Sequence, residues 1–131
     1  MPEYDPAQDK YSPLQTILVV EDDESVGMFL VEAISQETSY CALLVSDGLQ
    51  ALRAVENIKP GLFILDYQLP NMNGIELYDR LHAMQGLEAT PALMMSARLP
   101  AHELERRHIT GMRKPLDLDH LLHTIERLLA L

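Results

Sequence analysis

Asp66 closes the apolar run "FILD" and is followed within a few residues by Pro70 and Gly74. A carboxylate at the end of such a run is costly if it is buried without a partner. Other polar side chains stand at comparable places. Glu21, Asp22 and Asp23 follow "TILVV", Ser96 ends "PALMMS", and Lys114 follows "ITGMR". Two or more carboxylates converging on one edge repel each other unless a cation lies among them. Mg2+ suits that place, taking one or two carboxylates together with waters and phosphate oxygens. Lys114 adds a mobile positive charge and Ser96 a hydroxyl donor. Such a set suits phosphoryl transfer, where catalysis is positioning plus charge neutralisation. Asp66 would be the nucleophile, because a carboxylate can form an aspartyl phosphate.

The elements that must position these residues follow from the apolar pattern. "TILVV" (16–20) is a continuous β-branched run ending in acids, as buried parallel strands are. Val26, Phe29, Leu30, Ala33 and Ile34 recur at helical spacing in "SVGMFLVEAISQ". A strand at 41–46, a helix at 49–58, a strand at 61–66, a helix at 74–84 and a strand at 91–96 come next. A short helix near 101–107 and a weak strand near 109–113 lead to a last helix. There Leu118, Leu121, Leu122, Ile125, Leu128 and Leu129 form one stripe, with Asp117 as its N-cap. Five strands alternating with five helices predict an α/β fold, a parallel sheet covered on both faces. In such sheets the site lies beyond the carboxyl ends of the strands, near a topological switch point. That is where this chain keeps its polar residues.

The chain has 131 residues, which predicts one domain with a real core. Residues 1–14 carry Pro2, Pro6 and Pro13 among polar residues and read as a flexible arm, leaving 15–131 as the folded unit. No apolar run approaches the roughly 18 residues of a membrane span, and the N-terminus has no signal-peptide core. A cytoplasmic protein is expected. The lone Cys41 permits no internal disulfide and fits a reducing compartment, as a small hydrophobe at a strand start. Twenty acids against 10 bases give a net charge of −10, which argues against the domain itself wrapping nucleic acid. The one basic concentration, "ERRHITGMRK", has an ordinary reading as a solvated helix end.

The pieces "ILVVEDDE", "ILDYQLPNMNG", "MMSA" and "KPL" together resemble the receiver domain of two-component response regulators, over about residues 15–131. The resemblance implies a flavodoxin-like, doubly wound five-stranded sheet of order 2-1-3-4-5. It makes Asp66 the phosphoacceptor. It implies that Asp22 and Asp66 ligate Mg2+ directly, with the Gln68 backbone carbonyl as a further ligand and Glu21 acting through water. Ser96, the small Ala97 after it, and Lys114 before Pro115 complete the pattern, and the Lys114–Pro115 bond is expected to be cis. The partners implied are a sensor histidine kinase or histidine phosphotransfer protein and a downstream protein. The chain itself is expected to be a monomer or weak homodimer, without direct nucleic-acid binding and away from membranes.

Each piece alone has a plainer explanation. "EDDE" before a helix can be only a cap, an Asp before a Pro–Gly loop a turn residue, and a Lys before Pro just a lysine. Their joint occurrence, in order and at strand ends, favours the receiver. His120 and His123 could begin a metal site but lack further ligands, and Met94 and Met95 read as core. Three departures from the family stand out. Gly111 replaces the usual aromatic three residues before the lysine. The interval from Ser96 to Lys114 is short, so the fourth helix should be stunted. Arg98, two residues after Ser96, places a long cation beside the entrance, and with Arg106 and Arg107 it is the expected surface reporter of the switch. The function expected is a phosphorylation switch that catalyses only its own phosphorylation and dephosphorylation. The alternative is an interaction module that keeps the fold and works without phosphorylation. A Mg2+-dependent phosphatase is disfavoured, because such enzymes commonly carry a second Asp two residues after the nucleophile, where this chain has Gln68.

Overall fold

The computed structural model describes residues 16–130. The arm expected over 1–14 lies outside the described residues. Ten elements alternate along the described residues. The strands are β1 (Thr16–Val20), β2 (Cys41–Val45), β3 (Leu62–Asp66), β4 (Ala92–Ser96) and β5 (Thr110–Arg113). The helices are α1 (Glu24–Glu37), α2 (Gly48–Ala54), α3 (Gly74–His82), α4 (Ala101–Arg107) and α5 (Leu118–Leu129). All strand pairs are parallel, in the order β2-β1-β3-β4-β5, so β1 and β3 flank the switch point of a flavodoxin-like sheet.

Alternate residues of each strand face opposite sides, which is why the central strands β1, β3 and β4 are buried at every position, with polar residues only at their ends. Ile17, Val19, Ile64 and Met95 pack with Leu30 and Ile34 of α1 and Leu121 and Ile125 of α5. Leu18, Val20, Phe63 and Met94 pack instead with Ala51 of α2, Ile75, Leu77 and Leu81 of α3, and Leu104 of α4. Met94 and Met95 thus fill the two opposite halves of the core. Edge strand β2 is half-buried along its whole length, Cys41 included.

Four of the five helices begin at a side chain that accepts backbone N–H bonds: Asp23, Asp47, Asn73 and Asp117. Helix α4 begins at Pro100 with no side-chain cap and ends at His108, whose φ of 56° is left-handed. Helix α2 stops earlier than its apolar pattern predicts. After Val55 the chain tightens into turn bonds, Glu56 N–H to the Arg53 carbonyl and Asn57 N–H to the Ala54 carbonyl. None of the helices among the described residues is long and apolar enough to cross a membrane.

Candidate functional site

Asp66 is the last residue of β3 and only 4% exposed, so the apolar strand does carry its carboxylate into the protein. The loop behind it is held close. Gln68 N–H donates to Asp66 Oδ1 at 3.1 Å, and Gly74 N–H donates to the Tyr67 carbonyl at 2.8 Å. Asn71 turns the loop in a left-handed conformation (φ 70°) that Asn tolerates better than most residues. Asn73 then caps α3.

Glu21, directly after β1, is buried as well, whereas Asp22 is exposed. Ligand oxygens of Glu21, Asp22 and Asp66 lie within 4.8 Å of one another, and this is the one such trio among the described residues. His120 and His123 belong to no such group there. Lys114, just after β5, reaches across the sheet edge. Its Nζ donates to Glu21 Oε1 at 2.6 Å and to Asp66 Oδ2 at 3.2 Å. The Lys114–Pro115 bond is cis.

The electrostatics around Glu21 are compatible with a cation at the trio. Burial pushes the Glu21 carboxyl up to about 7, the adjacent Asp66 carboxyl adds to the rise, and Lys114 pulls the other way without overcoming them. Burial likewise works against the Lys114 charge, but Glu21 and Asp66 outweigh it and its pKa is raised. One lysine does not neutralise three acids. Oxygen donors with excess negative charge, part buried and part open to water, fit a hard divalent cation such as Mg2+.

A pH dependence follows. The folded-state pKa of Glu21 lies above its unfolded value of 4.5, so the folded form holds the proton more tightly. Its contribution to stability is therefore present below 4.5 and lost as pH rises toward about 7. Without divalent metal, urea unfolding of the wild type is expected to lose more stability between pH 5 and 7.5 than Glu21→Gln does. The difference should reach a few kcal/mol at most, on the scale of about 1.4 kcal/mol per pKa unit. Equal pH slopes for the two proteins would refute it.

Asp22 and Asp23 are separated by what they touch. Asp23 Oδ1 accepts the N–H groups of Ser25 at 2.9 Å and Val26 at 3.3 Å, so it is spent on capping α1. Asp22 is the third acid of the trio. In Mg2+ titrations Asp22→Asn is expected to weaken binding by about tenfold or more, as loss of a charged oxygen ligand would, while Asp23→Asn, which still caps, stays near the parent. Equal affinities would reverse the assignment of the two acids.

Ser96 ends β4 and is buried, and its hydroxyl bonds within its own loop. It donates to the Arg98 carbonyl at 2.8 Å and accepts from Arg98 N–H at 3.1 Å. Ala97 and Arg98 are exposed beside it. Arg107 is not the free surface cation that the sequence suggests. It forms a bidentate pair with Asp79 of α3, at 2.8 and 2.9 Å, and a third bond to Glu103 at 2.6 Å. The guanidinium holds the Asp79 carboxyl below its ordinary range. Arg107 and Asp79 are 28 residues apart, so no local pattern announces the pair. Arg106 remains exposed.

Residues 17–126 match the family model of the response regulator receiver domain. The chain belongs to that family. It is 39% identical over 84 residues to the DNA-binding response regulator MtrA of Mycobacterium tuberculosis, a stretch covering 64% of this chain and 35% of that relative. This receiver thus spans about a third of the length of the MtrA relatives it matches. It is 29% identical over 121 residues to sporulation initiation phosphotransferase F of Bacillus subtilis, covering 89% of this chain and 95% of that one. The chemotaxis protein CheY4 of Vibrio cholerae has a TM-score of 0.80 to this receiver at 25% identity, with 86% of this chain and 97% of that one covered. A response regulator of Chloroflexus aurantiacus shares the fold with a TM-score of 0.82 at 23% identity, over 89% of this chain and 98% of its own. Receivers are signalling domains of two-component phosphorelays and generally bind Mg2+ at an acidic pocket, the place that Glu21, Asp22 and Asp66 occupy here.

Proposed function

We propose that this receiver is a phosphorylation switch with Asp66 as its acceptor, charged by a phosphohistidine on a sensor kinase or phosphotransfer protein. The observation that carries the reading is the placement of Asp66. It is buried at a strand end, grouped with Glu21 and Asp22 and 3.2 Å from the Lys114 ammonium. An Asp66 carboxylate oxygen attacks phosphorus, the phosphorus–nitrogen bond breaks, and the imidazole leaves with the electron pair. Lys114, already extended to the site, neutralises charge on the phosphoryl oxygens, and the Ser96 hydroxyl turns to donate to one of them. Asp22, Asp66 and the Gln68 carbonyl would hold Mg2+ directly and Glu21 through water. When bound, the ion offsets the charge of the acids and of the incoming phosphoryl group. Hydrolysis of the acyl phosphate resets the switch, so the domain acts only on itself. The charge of −10 favours a protein over nucleic acid as the downstream partner of this domain. A reducing, cytoplasmic setting fits the single half-buried cysteine.

Incubation with acetyl phosphate and Mg2+, followed by intact mass, tests the reading. One phosphoryl mass gain that disappears on chelation is expected. An unchanged mass would leave the phosphorylation-independent module as the better description.

A further inference from the structure

The Ser96 hydroxyl has one proton and two competing acceptors. It now donates that proton to the Arg98 carbonyl. It cannot also donate to a phosphoryl oxygen on Asp66, so the second bond forms only when the first is released. The Arg98 carbonyl belongs to the same rigid peptide plane as the Leu99 N–H. Freeing one side of that plane lets it rotate, which gives Leu99 a route out of its present seat.

What Leu99 touches makes the movement consequential. A Cβ added to Gly111 would lie 3.2 Å from Leu99 Cδ1 and 2.8 Å from Leu104 Cδ1. Residue 111 therefore contributes no side chain because Leu99 and Leu104 already occupy its space. Leu104 is buried in α4, and Leu99 is half-buried against the same core cluster. Two backbone bonds run from the Ser96 loop into α4, Ala101 N–H to the Leu99 carbonyl at 2.9 Å and Leu104 N–H to the Pro100 carbonyl at 3.1 Å. The far end of α4 is tied to α3 by the Arg107–Asp79 pair. Helix α4 is thus held at its end and governed at its start.

We propose that Leu99, seated in the niche over Gly111, is the moving part through which the acceptor chosen by Ser96 is transmitted to α4. This rests on Asp66 being the phosphoryl acceptor. With the hydroxyl on Arg98, Leu99 fills the niche and α4 keeps its position. With the hydroxyl on the phosphoryl group, Leu99 leaves the niche, Leu104 repacks, and α4 pivots about Arg107. The device works in place of a side chain at 111, and it lies wholly within residues 96–111.

Amide spectra recorded with Mg2+, with and without beryllofluoride, decide the matter for wild type, Leu99→Ala, Leu99→Met and Gly111→Ala. In the wild type, beryllofluoride is expected to shift the amides around Asp66 and those of 98–107. In Leu99→Ala, the Asp66 amides should respond with an affinity within about twofold of the parent, while the shifts across α4 fall by about half or more. Leu99→Met should restore them. Gly111→Ala crowds the niche, so its unliganded α4 amides should already lie partway toward the beryllofluoride positions. An undiminished α4 response in Leu99→Ala would overturn the inference and leave the Asp66 reading standing, as would unmoved α4 amides in Gly111→Ala. A wild type whose Asp66 amides ignore beryllofluoride would overturn both.

Discussion

Asp66→Asn is expected to show no phosphoryl mass gain under conditions that label the wild type fully. Asparagine keeps the size of the side chain and can still accept the Gln68 N–H, which now reaches Asp66 Oδ1 at 3.1 Å. It lacks the anionic oxygen that attacks phosphorus, and it takes one charge from the metal trio. Among the described acids only Asp66 is itself the last residue of a strand; Glu21 shares its burial, acidic neighbours and lysine but lies past the end of β1. The substitution should not unfold the protein, because it also relieves repulsion with Glu21, whose protonation Asp66 favours. Unfolding midpoints at or above the parent value, together with the lost mass gain, are the combined expectation. Labelling at the wild-type level would place the acceptor elsewhere.

Gly74→Ala, at the first residue of α3, should give the largest loss of stability of any single methyl addition around the site. The new Cβ would lie 2.6 Å from the Asp66 carbonyl oxygen and 2.9 Å from the Tyr67 Cα, both parts of the backbone. Neither can step aside as a flexible side chain can. Helix α3 would have to lift from the end of β3, and the Gly74 N–H bond to Tyr67 would stretch with it. Overpacking of this kind costs about 2 kcal/mol, more than the gain of Ala over Gly in a helix returns. Gly48→Ala is the control. Its Cβ would meet the Met72 thioether at 2.7 Å, the mobile end of an adaptable side chain. Urea unfolding should show a clear downward shift of the midpoint for Gly74→Ala and a much smaller one for Gly48→Ala. Comparable shifts would mean that α3 moves on β3 with little resistance.

The strands and the acids at their ends were legible because both follow from local chemistry. "TILVV" is buried at every position since helices cover both faces, and Asp23 caps α1 as an acid before a helix should. The absence of an aromatic at Gly111 could be read directly. What takes its place could not, because Leu99 and Leu104 reach Gly111 only through the way α4 sits on the sheet. The Arg107–Asp79 pair was hidden for the same reason. It joins two helices whose order in space the sequence does not print. The Ser96 hydroxyl is a subtler case. Its bonds to Arg98 span two residues, a local pattern open to Ser and Thr that competes with any role toward a phosphoryl group. The end of α2 is hidden because apolar spacing and one i−4 bond, Ile58 N–H to the Ala54 carbonyl, continue through the tighter turn that follows the helix.

Helix α4 has seven residues and, alone among the five, no side chain closing its first turn. A missing cap leaves a helix weaker by about 1 kcal/mol, and so short a helix has few internal bonds to compensate. Its free energy of local opening should then be the lowest of the five, held up chiefly by Leu104 and the Arg107 pair. A weakly held segment can be displaced by the modest energy of one hydroxyl changing acceptor, whereas α1 or α5 could not. On the proposed switch, the missing cap at Pro100 would lower the free energy needed to displace α4, and with it the strength of signal the receiver needs.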